Sequence, residues 1–244
     1  MTQTQSSAQT PSANGHETDA DAIAGATPHE KGVSGSDGPI SHHLNRPIST
    51  RISSLVASWP VTPDQWSYVS CGLVCAGGAA FAVGAPRLGA AMVHAGSVLD
   101  GVDGEVARLQ GTASAEGALL DVTLDRVSDV ALLGGLALGA GGRRLDWLLA
   151  LGAANGIVVA SVVKERAGAE GLNVAELQRE EAVAGAAGAL LPYTNRDGRL
   201  FAVTLCGLLR QPRLALLWLA VTSNLRLFRR LGAAREMLRR RSDG

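Results

Sequence analysis

The sequence is poor in aromatic residues, in cysteine and in net charge. Aromatic residues make up 4% of its 244 residues, and the formal net charge is +0. Without excess positive charge the chain lacks the electrostatic attraction on which nucleic-acid binding depends, which argues against a nucleic-acid partner. The three cysteines, Cys71, Cys75 and Cys206, lie in apolar segments without a neighbouring histidine, which argues against a zinc site or a disulfide framework.

The first 45 residues contain almost no large apolar side chains. They are mainly Ser, Thr, Gly, Ala and Asp. Such a segment cannot bury enough apolar surface to offset the entropy lost on folding, so we predict a disordered polar tail over residues 1–45. The segment also lacks the apolar run of a secretory signal peptide.

Small and aliphatic residues dominate the rest of the chain. Hydrophobic residues make up 46% of the sequence and glycines number 30, a combination typical of closely packed membrane helices. The uncharged runs 65–86 and 147–163 approach the length of about 20 residues that crosses a bilayer. Shorter apolar runs adjoin polar segments that could line a water-filled cavity. These shorter runs are 88–99, 130–142, 200–209 and 214–225.

These patterns predict an all-α integral membrane protein with six transmembrane helices and an N-terminal juxtamembrane amphipathic helix. The amphipathic helix is expected from residue 45, where arginines alternate with large apolar residues as far as Trp59. A membrane domain of residues 46–231 would be followed by a basic C-terminal tail, 232–244. The six predicted spans are about 65–85, 87–109, 115–141, 146–167, 196–210 and 212–231.

The distribution of basic residues predicts the orientation. If the chain starts on the inner side, the outer loops carry only five arginines, and all the other basic residues lie inside or in the N-terminal tail. We therefore expect a multi-pass protein of the plasma membrane whose functional side faces the cytoplasm. The arginines from Arg226 to Arg241 are expected to lie against anionic lipid at that surface.

Four aspartates between residues 100 and 125 form the most informative pattern. Asp100 and Asp103 share one helix face, and Asp121 and Asp125 share a face of the next helix. A Gly–Thr–Ala–Ser turn between the helices predicts an antiparallel pair that directs the carboxylates toward one another. Carboxylate oxygens suit Mg²⁺ or Mn²⁺, and two facing pairs suit two ions that clamp phosphate oxygens. A solvated acidic face is the alternative, but four acids beside a single arginine, Arg108, would repel one another without a cation.

With these spacings the stretch resembles the CDP-alcohol phosphotransferase family. All eight fixed positions of the family signature are present, namely Asp100, Asp103, Gly104, Ala107, Arg108, Gly117, Asp121 and Asp125. The resemblance implies metal-dependent transfer of a phosphatidyl or phosphoinositol group from a CDP-linked donor to the hydroxyl of an acceptor alcohol. CMP would be released, in the synthesis of a phospholipid or an inositol-phosphate diester.

The resemblance also implies roles for individual residues. Two Mg²⁺ or Mn²⁺ ions would be held by the four aspartates, Asp100, Asp103, Asp121 and Asp125, and Asp125 would also be the base. The nucleotide site would comprise Asp103, Gly104, Ala107, Arg108 and Gly117, together with Asp64, which stands where the family often has asparagine. The acceptor would be bound by Ser161, Lys164 and Arg166 on the fourth helix and by Arg196 and Arg199 on the fifth.

The resemblance bears on partners as well. The donor would be a CDP-linked alcohol or CDP-diacylglycerol, and the acceptor would carry a hydroxyl and a phosphate, as inositol phosphate and glycerol phosphate do. The flanks NRPISTRIS and TNRDGRLF are similar to those in the membrane domain of di-myo-inositol phosphate phosphate synthases. The 45-residue tail is too short for the cytidylyltransferase domain often fused to that enzyme, so synthesis of phosphatidylglycerol phosphate or phosphatidylinositol phosphate stays open. Contacts with membrane lipids and a homodimer are also expected.

Two other functions fit part of the pattern. A membrane prenyltransferase also uses facing carboxylates and Mg²⁺ on a diphosphate, but the aspartate spacing here differs from its usual Asn/Asp-rich boxes. A non-catalytic membrane scaffold would not need four aspartates at these positions. Metal-dependent release of CMP separates the CDP-alcohol reaction from both. The glycine pairs Gly135/Gly139 and Gly152/Gly156 could serve either helix packing or a dimer contact.

Overall fold

A computed structural model describes residues 40–182 and 193–242, which contain eight α-helices and no strand. This confirms the all-α class for the described part of the chain. α1 covers Arg46–Val56 and follows a π-helical turn, Ser41–Asn45. The other helices are α2 (Pro63–Ala82), α3 (Pro86–Gln110), α4 (Ala115–Gly139), α5 (Arg144–Ala169), α6 (Val174–Ala182), α7 (Arg196–Leu208) and α8 (Pro212–Ser242).

Local sequence signals set the ends of the helices that carry the aspartates. Thr62 caps α2, because its hydroxyl accepts from the backbone N–H of Gln65 while the Gln65 side chain accepts from the N–H of Thr62. Gly111 ends α3 in the left-handed conformation, with φ of 67°. Ser114 then caps α4 by accepting from the N–H of Gly117 at 3.1 Å. The chain therefore reverses between α3 and α4, as the turn sequence predicts.

The helix α2 organises the bundle, because it packs extensively against both α3 and α4. The main hydrophobic core lies where these helices meet α5, α7 and α8. Phe81, Leu136, Val203 and Leu216 are almost completely buried there. With α2 as their common support, α3 and α4 present their aspartates on either side of an open cleft.

Glycines allow the closest of these helix contacts. A Cβ on Gly135 of α4 would lie only 2.1 Å from the carbonyl oxygen of Gly78 on α2. Gly139 and Gly156 are similarly close to a neighbouring helix, whereas a Cβ on Gly152 would meet nothing within 4 Å. The glycine pairs therefore serve packing within the chain at three of their four positions.

The helices extend beyond the predicted domain 46–231 at both ends. Ser41 and Asn45 are buried in the turn before α1, so a tail boundary at residue 45 is too late by about one helical turn. At the other end α8 continues past residue 231 to Ser242, because Ala234 is buried in a small apolar cluster with α5 and α6 and holds the helix in place. The rest of the predicted N-terminal tail, residues 1–39, lies outside the described residues.

One further helix, α6, is too short and polar to be found from apolar runs. Asn173 caps it by accepting the N–H groups of Ala175 at 2.9 Å and Glu176 at 3.2 Å. The spacing of Asn173 and Glu176 resembles a capping box and was the available sequence signal.

The α6 helix changes the interpretation of two basic residues. Its buried Glu181 forms ion pairs with Arg230 and with Arg226 of α8, the latter at 3.5 Å. Arg230 also donates to the carbonyl oxygen of Ala160 at 2.9 Å. The prediction that these two arginines face anionic lipid is therefore wrong, because an acidic residue from α6 gives them a partner inside the bundle.

The helix α5 stands out by its hydropathy. Among the helices of residues 40–182 and 193–242, it is the one whose own length and composition suit a membrane span. The six predicted spans correspond in position to α2–α5, α7 and α8, but their passage through a bilayer stays a prediction. The location of α1 on a membrane surface also stays a prediction.

We expect Gly135→Ala to destabilise the fold by about 1–3 kcal/mol, as overpacking of a tight contact typically does. The added methyl group must push α4 away from the backbone of Gly78. The measurement is the thermal midpoint of unfolding in detergent. The matched control is Gly134→Ala, where a Cβ meets nothing within 4 Å and alanine is favoured over glycine in a helix. Equal loss of stability in both variants would contradict the packing role of Gly135.

Candidate active site

The structure brings three of the four predicted aspartates together. Carboxylate oxygens of Asp100 on α3 and of Asp121 and Asp125 on α4 all lie within 4.8 Å of one another. The three side chains are half-buried, so their mutual repulsion is less screened than it would be in open water. An all-oxygen donor set with this charge fits Mg²⁺ or Mn²⁺. We call these residues the carboxylate cluster.

The fourth aspartate, Asp103, has different neighbours. It is buried, the hydroxyl of Ser67 on α2 donates to its Oδ2, and the N–H of Gly104 donates to its Oδ1 at 2.5 Å. Both carboxylate oxygens of Asp103 therefore accept hydrogen bonds, and its role as a metal ligand stays a prediction. Ser67 was not among the predicted site residues, although it lies about one helical turn after Asp64 and so shares a helix face with it.

Arg196, at the start of α7, supplies positive charge to the carboxylate cluster. Its Nη1 lies 2.7 Å from Oδ1 of Asp100, and its Nη2 lies 2.9 Å from Oδ1 of Asp125. Nη2 also donates to the hydroxyl of Ser128 at 3.3 Å. The guanidinium thus occupies one oxygen of each of these two carboxylates. We expect Arg196 and a divalent cation in the cluster to compete for Asp100 and Asp125.

A second set of charges lies one helical turn beyond Asp125. Oδ2 of Asp129 forms ion pairs with Nη1 of Arg126 at 3.3 Å and with Nη2 of Arg199 at 3.1 Å. Arg126 also approaches Asp125 at 3.7 Å. Arg199, which the resemblance assigns to the acceptor, therefore has its guanidinium on Asp129 and not on the carboxylate cluster.

A cleft of about 460 Å³ opens beside the carboxylate cluster. It falls in the range of roughly 300–1,000 Å³ typical of small-molecule sites. All six residues predicted to bind the nucleotide line it, namely Asp64, Asp103, Gly104, Ala107, Arg108 and Gly117, and Asp121 of the cluster also lines it. Six of the eight motif residues therefore border the same cleft.

The two glycines of this set keep the cleft open. A Cβ on Gly104 would lie 3.3 Å from Nη1 of Arg108. A Cβ on Gly117 would lie 3.6 Å from Oδ1 of Asp64. Larger side chains at either position would therefore narrow the space and press on the polar groups around it.

The α5 residues assigned to the acceptor do not share one environment. Ser161 and Lys164 are half-buried. Arg166 is 76% exposed and lies 2.7 Å from Glu170 on the next turn. The side chain of Arg166 thus lies at the protein surface. Of these two cations, Lys164 is the better placed to bind an acceptor.

Residues 61–221 match the sequence model of the family described as CDP-alcohol phosphatidyltransferase. The chain is 40% identical over 199 residues to the bifunctional IPC transferase and DIPP synthase of Rubrobacter xylanophilus, across 82% of this chain and 43% of that protein. It is 36% identical over 130 residues to the archaetidylinositol phosphate synthase of Methanothermobacter thermautotrophicus, across 53% of this chain and 64% of that protein. The chain therefore spans less than two thirds of the length of either relative.

Solved structures show the same fold. A crystal structure of Mycobacterium tuberculosis phosphatidylinositol phosphate synthase with CDP-DAG bound matches with a TM-score of 0.60 and 26% identity, across 77% of this chain and 94% of that chain. The same synthase in complex with manganese and citrate matches with a TM-score of 0.57 and 24% identity, across 76% of this chain and 88% of that chain.

We expect Arg196→Gln to raise the affinity of the purified protein for Mn²⁺ by about tenfold or more. It removes charge-assisted contacts worth roughly 1.5–3 kcal/mol that compete for the same oxygens. Calorimetry or the Mn²⁺ spin-resonance signal gives the affinity without any substrate. The matched control is Arg199→Gln, which removes a neighbouring arginine that contacts Asp129 instead. Unchanged or weaker Mn²⁺ binding in Arg196→Gln would contradict the competition.

Proposed function

Because the chain belongs to the CDP-alcohol phosphatidyltransferase family, we propose that it transfers a phosphoryl-alcohol group from a CDP-linked donor to the hydroxyl of an acceptor alcohol and releases CMP. The observation that carries this proposal is the juxtaposition of the cleft and the carboxylate cluster. The six residues predicted to bind the nucleotide line the cleft, and Asp121 both lines it and belongs to the carboxylate cluster, so the two form one site. Such a site can hold a nucleotide diphosphate with its phosphates next to the acids.

The donor is assigned to the cleft. Arg108 can pair with a phosphate, and Gly104 and Gly117 leave room for the nucleotide. CDP-diacylglycerol and a CDP-linked polar alcohol both carry this CDP group. The Mycobacterium tuberculosis synthase, which shares the fold, has CDP-DAG bound in its crystal structure, and this supports a CDP-linked donor here.

Divalent cations are assigned to the carboxylate cluster. Asp100, Asp121 and Asp125 would hold Mg²⁺ or Mn²⁺, and Asp103 would contribute to a second ion if it gave up its present hydrogen bonds. When bound, the ions would neutralise the charge on the diphosphate oxygens during transfer. The protein contributes the geometry, because α2 fixes the distance between the two helices that carry these acids.

Asp125 is assigned as the base. The acceptor hydroxyl attacks the donor phosphorus that carries the alcohol, its proton passes to the Asp125 carboxylate, and the bond from that phosphorus to CMP breaks. One oxygen–phosphorus bond forms and one breaks, so CMP leaves with the bridging oxygen. For this step Arg196 must release Asp125, because it lies 2.9 Å from one of its oxygens.

The acceptor is proposed to carry a phosphate, with phosphorylated inositol favoured over glycerol phosphate. The names of the relatives support inositol, since they include an archaetidylinositol phosphate synthase and a phosphatidylinositol phosphate synthase. In the described part of this chain Arg196 bridges two acids of the carboxylate cluster, and Lys164 is a half-buried cation on α5. A released Arg196 can pair with a phosphate through two N–H groups.

We also propose that the chain is a multi-pass protein of the plasma membrane with its site on the cytoplasmic side. Large apolar side chains are exposed along several helices, for example Val130 at 56%, Leu151 at 65% and Val221 at 58%. Extensive apolar surface of this kind is unusual on a soluble monomer and suits lipid. A homodimer remains part of the proposal.

The prenyltransferase and scaffold alternatives predict a different assay result. Membranes containing the protein should release CMP from a CDP-linked donor only when Mg²⁺ or Mn²⁺ and a matching acceptor are present. Release of diphosphate from a prenyl donor would favour the first alternative. Absence of turnover with every CDP-linked donor and phosphorylated acceptor would favour the second.

We expect Asp125→Asn to lower turnover by about 10² or more, the usual scale of a lost general base. The amide keeps the shape but cannot take the proton. Single-turnover CMP release measures the rate, and calorimetry with and without Mg²⁺ measures donor binding. Donor binding should largely survive in this variant, whereas Asp121→Asn should weaken its metal-dependent part. Normal turnover in Asp125→Asn, or loss of metal as complete as in Asp121→Asn, would move the base elsewhere.

We expect Lys164→Ala to raise the apparent KM for the acceptor more than that for the donor. The residue lies on α5 and is not among the residues that line the donor cleft. Steady-state kinetics with each substrate varied in turn give the two constants. Arg235→Ala is the control, because it removes a positive charge from the C-terminal half of α8. Equal rises in both KM values for Lys164→Ala would contradict a role in acceptor binding and would favour contact between this residue and lipid headgroups.

A further inference from the structure

The chain segment before α1 reaches into the bundle. Ser41 is 5% exposed and Asn45 is 4% exposed in the π-helical turn. This turn precedes residues 61–221, which match the family. A buried polar turn of this kind needs hydrogen-bond partners, and its partners lie on α3 and α7.

A chain of hydrogen bonds links the turn to α7. The side-chain amide of Asn45 donates to Oγ of Ser97 on α3 at 3.0 Å, and this Oγ donates to Oδ1 of Asp197 at 3.2 Å. The hydroxyl of Ser41 lies close enough to interact with the same carboxylate. Three elements that are remote in sequence therefore meet at Asp197.

Asp197 directly follows Arg196 in the first turn of α7. Asn195 caps this turn by accepting from the N–H of Gly198 at 3.0 Å. A Cβ on Gly198 would lie 2.0 Å from the carbonyl oxygen of Tyr193, so the backbone is tightly packed there. The cap and the contacts of Asp197 hold this turn in an orientation that directs Arg196 to Asp100 and Asp125.

The segment is anchored a second time on α3. Glu105 is 4% exposed and accepts from the hydroxyls of Ser49 at 2.8 Å and Ser53 at 2.6 Å. Arg46 pairs with the same carboxylate at 2.6 Å. This anchor fixes α1 and thereby the turn that precedes it.

From these contacts we infer that residues 41–45, with Ser97 and Asp197, position Arg196 on the carboxylate cluster. The inference rests on the proposed function, because it concerns the arginine that competes with the metal. Loss of the network should leave the acids and the cleft in place but loosen Arg196. Mn²⁺ should then bind more tightly, and a phosphorylated acceptor should bind less well.

The first test is Ser97→Ala, measured as Mn²⁺ affinity of the purified full chain without substrate. We expect a rise of roughly three- to tenfold, because only part of the free energy lost with the two hydrogen bonds of Ser97 is transmitted to Arg196. In the Arg196→Gln background the same change should add nothing, because the positioned group is gone. Ser70→Ala is the control, since Ser70 is equally buried but its hydroxyl donates to the carbonyl oxygen of Ser67 in its own helix.

The second test replaces Ser41 and Asn45 together by alanine in the full chain. This double variant should bind Mn²⁺ like Ser97→Ala, with a raised KM for the acceptor and an unchanged KM for the donor. A purely structural role would instead lower thermal stability and move both constants together.

The outcomes separate this inference from the proposed function. If Arg196→Gln tightens Mn²⁺ binding but Ser97→Ala and the Ser41/Asn45 double variant do not, the positioning network is wrong and the function stands. Additive effects of Ser97→Ala and Arg196→Gln would also overturn it. If the full chain binds no Mn²⁺ and releases no CMP, both the function and the inference fail.

Discussion

Carboxylates that lie close together and partly out of water require positive charge nearby, and this requirement shapes the functional end of the bundle. Asp100 and Asp125 face each other across the gap between α3 and α4, and the guanidinium of Arg196 joins them. One helical turn further on, Asp129 is held between Arg126 and Arg199 in the same way. Each of these three carboxylates is therefore paired with an arginine from α7, which lies far from it in the sequence.

The geometry of that charge arrangement depends on how closely the helices pack. Because Gly135 lies against the backbone of Gly78, α4 can approach α2 more closely than larger side chains would allow. α3 packs on another face of the same helix, so the two aspartate-bearing helices are held at a fixed separation without filling the space between them. The cleft of about 460 Å³ is the result, and it is lined in part by small residues of the motif.

Much of the fold and site could be predicted from local features of the chain. The sequence Thr62–Gln65 predicts a capped helix start and Gly111 predicts a helix end, and the structure confirms both. The aspartate spacing predicts shared helix faces, and three of the four aspartates come together. The residues named for the nucleotide all line the cleft. These features depend on neighbours within a helical turn, so a single sequence is enough to find them. The segment before α1 and the helix α6 were missed, because they are short and polar and are stabilised by partners distant in sequence.

Four acids and a set of small residues stand at fixed spacing on two successive helices, and this follows from the order of residues alone, because helical periodicity converts spacing into position. The ends of those helices also follow from their capping residues. Which charges meet depends instead on how the helices pack. Arg196 and Arg199 are separated by less than one helical turn, yet the first contacts the carboxylate cluster and the second contacts Asp129. Asp103 likewise turns to Ser67 while Asp100 joins the cluster. Such partners are chosen by the packing of helices far apart in the chain, and no local pattern records that choice.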